Sequence, residues 1–207
     1  MKVVQIMNFK VFFIIFFFLF QNTLAQKKFQ IIYQDDDYST SIIADKKGKV
    51  IKTLDKNVYG INYRPETLGY FSIFSIINEK GWTAIDINEN QLFQVLNTEY
   101  GTPSPDDLVE NKIRIVDKNG KIGFANKKGK IIIQPKFEQA STFHNGKAII
   151  GRKCRMIPWL EHPIETDCHH YSVKCEEEEN GYINKKGKII ELGKFTFNEI
   201  ANKIKWK

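Results

Sequence analysis

Cysteine is scarce in this chain, with three in 207 residues, at Cys154, Cys168 and Cys175. Their confinement to one short stretch excludes a small scaffold stapled throughout by disulfides. The absence of any Cys-x-x-Cys pair excludes the spacing of a compact zinc finger. Six prolines and 13 glycines are too few for a collagen-like or proline-rich chain. Catalytic signatures are missing too: there is no Gly-x-Ser-x-Gly, no His-Glu-x-x-His and no phosphate-cradling glycine loop. A net charge of +7 is mild for this length and does not by itself point to nucleic acid. Long apolar runs are absent except for one, and that one is short.

That run is VFFIIFFFLF at residues 11–20, ten residues without a charge. A spanning helix needs about 20. Lys2 and Lys10 precede it, and Thr23-Leu24-Ala25 follows, with small residues at the first and third positions before a cut. The pattern predicts a secretory signal peptide over residues 1–25, cleaved after Ala25, and hence an exported protein, periplasmic or at the cell surface. Gln26 stands where a lipid anchor would require cysteine, and no later run approaches membrane length, so no span is expected after cleavage.

What the chain does have is a repeated turn. Asp45-Lys46-Lys47-Gly48-Lys49, Asp117-Lys118-Asn119-Gly120-Lys121, Asn126-Lys127-Lys128-Gly129-Lys130 and Asn184-Lys185-Lys186-Gly187-Lys188 each run into β-branched residues. Asp or Asn opens such a turn by accepting a backbone N–H two residues on. Glycine closes it in the left-handed conformation as a bulge, and the β-branched residues begin the return strand. The spacing of Gly120 and Gly129 predicts one meander with strands at about 113–117, 121–126 and 130–134. Asn90, in Asp86-Ile87-Asn88-Glu89-Asn90, is expected to stand in for the glycine of a further turn.

The alignment extends beyond the turns. Gly123-Phe124-Ala125-Asn126-Lys127-Lys128-Gly129-Lys130-Ile131-Ile132 matches Gly181-Tyr182-Ile183-Asn184-Lys185-Lys186-Gly187-Lys188-Ile189-Ile190, and Gly81-Trp82 begins a weaker copy. After the middle copy come Pro135-Lys136-Phe137 and Phe143-His144-Asn145-Gly146-Lys147-Ala148. In this order of motifs the chain resembles the WG (KWG) repeat of bacterial proteins. The match is nearly complete over 112–153, partial at 181–192 and degenerate at 41–51 and 81–93. Gly-Phe, Gly-Tyr and Gly-Trp replace the named Trp-Gly pair. The resemblance implies a repetitive all-β array, solenoid- or propeller-like, without one activity and without catalytic residues to carry over.

Physically, a hairpin with a return strand cannot bury its apolar face alone, so stacked units must share a core. The domain expected over 26–207 divides into degenerate units at 41–101, the best unit at 112–153, an insert at 154–180 and a last unit at 181–207. Gly123 and Gly181 are expected to admit a close backbone, with the following aromatic packed between units. Little helix is expected. Residues 103–111 suit one short turn, with Ser104 as cap and Pro105 first. The tail, 195–207, reads equally as a strand or a short amphipathic helix.

The insert carries all three cysteines and three of the four histidines. One disulfide is the leading reading, either Cys154–Cys175 across the base or Cys168–Cys175 across a short hairpin, beside free thiols or a zinc site using His162, His169 and His170. Glu176–Glu179 and Asp35–Asp37 read as solvated loops. Trp82, Trp159 and Trp206, with Tyr63, Tyr70 and Tyr100, are either inter-repeat packing or binding platforms. Trp159, beside Pro158 in the insert, stands out. His144, at a turn, reads as exposed.

These residues predict a non-enzymatic binding module without a cofactor. It would meet an envelope or extracellular protein or glycan through Trp159, His162, His169, His170 and Tyr171. Nucleic acid is not an expected partner, and open sheet edges make self-association conceivable. Metal capture through the Cys/His insert, and a hydrolase or accessory enzyme using its carboxylates, are the rival readings.

Overall fold

The computed structural model of the protein describes residues 27–34, 40–98, 104–152, 154–158, 171–175 and 179–206. The predicted signal peptide, the Asp35–Asp37 run, Tyr100 and Glu176–Glu178 lie outside these residues. The described residues build antiparallel β-sheets with one short helix, as the sequence predicts. Among the described residues, no helix is long and apolar enough to cross a membrane.

The first three strands of the described residues, β1 (Gln30–Tyr33), β2 (Ser41–Ala44) and β3 (Val50–Thr53), pair in sequence order. A seven-stranded meander follows. It consists of β4 (Tyr59–Asn62), β5 (Ser72–Ile76), β6 (Trp82–Ile85), β7 (Gln91–Val95), β8 (Lys112–Val116), β9 (Ile122–Asn126) and β10 (Ile131–Phe137), each paired with its neighbour in the chain. A four-stranded sheet then runs β11 (Gln139–Ala140), β12 (Lys147–Gly151), β15 (Glu179–Asn184) and β16 (Ile189–Lys194). Between β12 and β15 the chain makes a separate two-stranded ribbon, β13 (Cys154–Pro158) and β14 (Tyr171–Cys175).

The turns explain the regularity. Asp45 Oδ1 accepts the N–H groups of Lys47 (2.7 Å) and Lys49 (3.0 Å), while its carbonyl accepts from Gly48. Asp117, Asn126 and Asn184 repeat this arrangement, and the four turn glycines sit at φ between 74° and 79°. A fifth copy starts at Asp86, whose Oδ1 accepts from Asn88 and Asn90. Here the left-handed residue is Glu89 (φ 65°), not Asn90 as the sequence suggested. Counting from the opening carboxylate, Asn90 falls at the lysine position, where its N–H closes the ring. The reason glutamate tolerates this backbone is its side chain, which forms an ion pair with Lys52 of β3.

The glycines of two Gly-aromatic pairs admit a close backbone, as expected, whereas Tyr182 packs with Ile149 and the tail rather than between units. A Cβ at Gly123 would lie 2.5 Å from the carbonyl oxygen of Ile133 and 2.6 Å from the nitrogen of Pro135. One at Gly181 would collide with the carbonyl oxygen of Glu191. In both hairpins the return strand bulges, as the register shifts of β9–β10 and β15–β16 record. Only a residue without a side chain leaves room for the bulged backbone. Pro135, which has no N–H to give a ladder, sits within the irregular stretch of β10.

Alternation along the strands then sorts the core. Phe74, Ile76 and Ile85 face the first sheet and bury Phe29, Ile31, Ile43 and Leu54. Ile73, Ala84, Val95, Ile113, Ile115 and Ala125 line the other face of the meander. Ile122, Phe124, Ile133 and Phe137 pack on Phe143, Ala148, Ile150 and Ile183 of the last sheet. The tail resolves as α1 (Phe197–Lys203), begun by a capping box between Thr196 and Glu199. Its Ile200 and Ala201, with Ile204 just beyond, cover Ile149 from the opposite side of that sheet.

The expected helical turn near 103–111 is not found among residues 104–111. Pro105 bridges to Asn97, and Ser104 offers its carbonyl to Thr98 (2.9 Å) instead of capping. Asp106 is 3% exposed and binds Arg114 Nη2 (2.6 Å), Nε (3.1 Å) and N (2.8 Å). A single helical turn is costly to nucleate, and this buried, multiply bonded ion pair holds the loop extended.

Candidate functional site

The insert emerges where β12 meets β15. Those strands pair up to Gly151 opposite Asn180, and Arg152 N–H donates to the Glu179 carbonyl (3.0 Å). Beyond this point the chain continues as the ribbon, with Cys154 opposite Cys175 at its base and Pro158 opposite Tyr171 at its far end. Cys154 is disulfide-bonded. Its backbone N–H donates to a Glu138 carboxylate oxygen (2.6 Å), and Lys121 Nζ donates to the other (2.9 Å), which ties the ribbon base to β9 and β10.

The other predicted contact residues, Trp159, His162, His169 and His170, fall in the segment joining β13 to β14, outside the described residues, as does Cys168. Tyr171 begins β14, beside that segment. Trp82 packs within the meander core, its ring 5.8 Å from Tyr63. Trp206 packs between Phe197 (5.9 Å) and His144 (6.1 Å), so His144 is half-buried rather than a free turn residue.

A second polar junction joins two tight turns. Glu110 and Asn111 both adopt left-handed conformations (φ 48° and 60°), as do Asn145 and Gly146 (φ 50° and 74°). The Glu110 carboxylate accepts the Gly146 N–H (2.9 Å). Lys112 lies over the Phe143 ring (4.3 Å), and burial pulls its pKa below the usual lysine range against the opposing pull of Glu110. The arrangement closes the meander against the last sheet.

The sequence reading missed the pocket. A cavity of about 350 Å³ lies along the meander, reaching from Ile73 on β5 to Ile113 on β8. Its walls are two loops. One, residues 63–71, is pinned by paired hydrogen bonds between Phe29 and Gly69 (2.8 and 2.9 Å) and by the Glu66 N–H on Ile31 (2.7 Å). The other, 104–111, is pinned by Asp106 and by the Lys127 N–H on the Asn111 carbonyl (3.0 Å). Arg64 and Asp107 join the two walls (2.5 Å). Tyr63 and Tyr70 were legible as aromatic candidates; Lys28, Phe71, Ser72, Leu108 and Lys127 carried no spacing that would have grouped them.

No curated protein matches the chain. Residues 122–151, which comprise β9, the Asn126 turn, the bulged β10, β11 and most of β12, match the family model described as WG containing repeat. Over this stretch the chain carries a WG repeat, which supports the resemblance read from its motifs.

Proposed function

We propose that the protein is an exported, non-enzymatic binding module that presents the segment at the end of its ribbon to an envelope or extracellular protein or glycan. The observation that carries this reading is the Cys154 disulfide at the base of an isolated ribbon. A lone two-stranded hairpin is marginal in water. It contributes no strand to either neighbouring sheet, so the fold gains little from it. A cross-link that holds such an appendage favours a role for what it displays. Disulfides persist in oxidising compartments, which agrees with the N-terminal pattern of Lys2, Lys10, the apolar run and Ala25. Cys175 is the partner we assign to Cys154, because the register sets them face to face.

The test starts with the full chain expressed in an exporting host. Its intact mass should begin at Gln26 and be two hydrogens short of the fully reduced value. Labelled protein is then titrated onto isolated cell envelopes of the host. Replacing residues 159–170 with Asn-Gly should abolish saturable binding, and Trp159→Ala should weaken it. Undiminished binding by the tip replacement would sink the reading.

A further inference from the structure

The pocket between the 63–71 and 104–111 loops has a composition that selects a ligand. Its floor is apolar and buried, with Ile73 and Ile113. Its sides carry Tyr63, Tyr70 and Phe71, and two leucines stand open to solvent at the rim, Leu68 (40% exposed) and Leu108 (45%). A volume of about 350 Å³ falls in the range of small-molecule sites, roughly 300–1,000 Å³, and is too small for a folded partner.

The charges around it do not balance. Asp106 is spent on Arg114, and Asp107 is spent on Arg64. That leaves Lys28, over the Tyr70 ring (5.4 Å), and Lys127, at the opposite wall, as cations facing the space without a carboxylate partner in the lining. Ser72 adds a donor. Its oxygen already accepts from Asn62 Nδ2 (2.7 Å), so its remaining capacity includes the hydroxyl proton. The polar groups left for a ligand are therefore weighted to donors and positive charge, above an apolar and aromatic bed.

We propose that this pocket binds a small amphipathic organic anion, an aromatic or aliphatic body with one carboxylate or sulfonate head. The body lies on Tyr63, Phe71 and Leu108, and the head is met by Lys28, Lys127 and the Ser72 hydroxyl. The site is separate from the ribbon and does not depend on the function proposed for it.

The probe is 8-anilinonaphthalene-1-sulfonate, followed by its fluorescence on the full chain, beside N-phenyl-1-naphthylamine, which has the same rings and no charge. The sulfonate should bind saturably at one site, and the neutral dye more weakly. Lys28→Gln combined with Lys127→Gln should weaken the sulfonate about tenfold, as two exposed charges allow, and leave the neutral dye unchanged. Leu108→Trp, which fills the opening, should remove both. The chain with residues 159–170 replaced should bind like wild type. Equal affinity for the two dyes, or no effect of the lysine changes, would show an apolar patch without head-group recognition and overturn the proposal. Dye binding that survives Leu108→Trp would place the dye elsewhere and overturn it as well.

Discussion

The Glu89 carboxylate accepts the hydroxyl of Tyr59 within the same meander. Glu89 holds the left-handed position of the β6–β7 turn, while Tyr59 opens β4 with its ring edge-on to Phe74 (5.3 Å). Since Glu89 also pairs with Lys52 on β3, one side chain joins the first sheet to the meander. A residue that looks wrong for its turn is there for what it reaches.

Substituting this residue separates the two contributions. Glu89→Ala removes both bonds and keeps the left-handed backbone, while Glu89→Gly removes the bonds and relieves the backbone. The alanine variant should be less stable than the glycine variant by about 1–2 kcal/mol, the penalty of that conformation. Both should be less stable than wild type. Chemical denaturation of the three proteins checks the order, and equal stability of Ala and Gly would contradict it.

Alkaline titration follows from the same pair. Burial, then the hydrogen bond and the charge of Glu89, push Tyr59 up to about 12 from 10.0. The unfolded chain releases this proton first. Between pH 10 and 12 the folded state thus holds more protons, and stability falls as pH rises through that window. Tyr59→Phe should flatten this part of the profile relative to wild type, read as the difference between their denaturation midpoints at pH 9 and pH 11.5.

Glycines of two kinds should respond differently. Gly120 has open space around its missing Cβ, and only its φ of 74° is at stake, so Gly120→Ala should cost about 1–2 kcal/mol. Gly123 faces backbone at 2.5 Å, so Gly123→Ala must displace the bulge of β10 and should cost more, about 3 kcal/mol, combining overpacking with a backbone shift. Thermal melts of the two variants test the ranking, and a reversal would contradict the close approach.

The Asp106–Arg114 pair predicts a local consequence as well as a global one. Arg114→Ala leaves a buried carboxylate without its cation, a loss of about 3–5 kcal/mol. Asp106 also positions the 104–111 loop, so hydrogen exchange there should rise more than in β5 or β6. Uniform change across the meander would argue that the loop is held by other contacts.

Much of the fold was legible because its turns use local chemistry. Asp117 and Asn126 bond to backbone two and four residues on, so their sequence spacing is the structure, and β8, β9 and β10 fall within three residues of the expected bounds. Gly123 and Gly181 were legible because the same Gly-aromatic pair precedes the same turn twice. Glu89 was not, since its tolerance of a left-handed backbone depends on Lys52 and Tyr59, which are distant in sequence. Pro105 misled for the same reason: a helix-start pattern yields to the pairing of Asp106 with Arg114, eight residues on. The pocket was illegible because its lining, loops and floor together, comes from three separated stretches, at Lys28, at 63–73 and at 106–127, which only the fold brings together. The ribbon was partly legible. Its cysteines were legible as a possible staple, but only the register set Cys154 opposite Cys175.

The pairing of Gly151 with Asn180 carries one more consequence. The chain leaves the last sheet and re-enters it at adjacent hydrogen-bonded positions, so the sheet registers neither the length nor the sequence of what intervenes. Loop-closure entropy grows only slowly with added residues. The fold therefore has an exchange port, through which a lineage could replace its display segment wholesale while β12, β15 and the helix above them stay as they are. The same port would accept a foreign peptide grafted between Cys154 and Cys175.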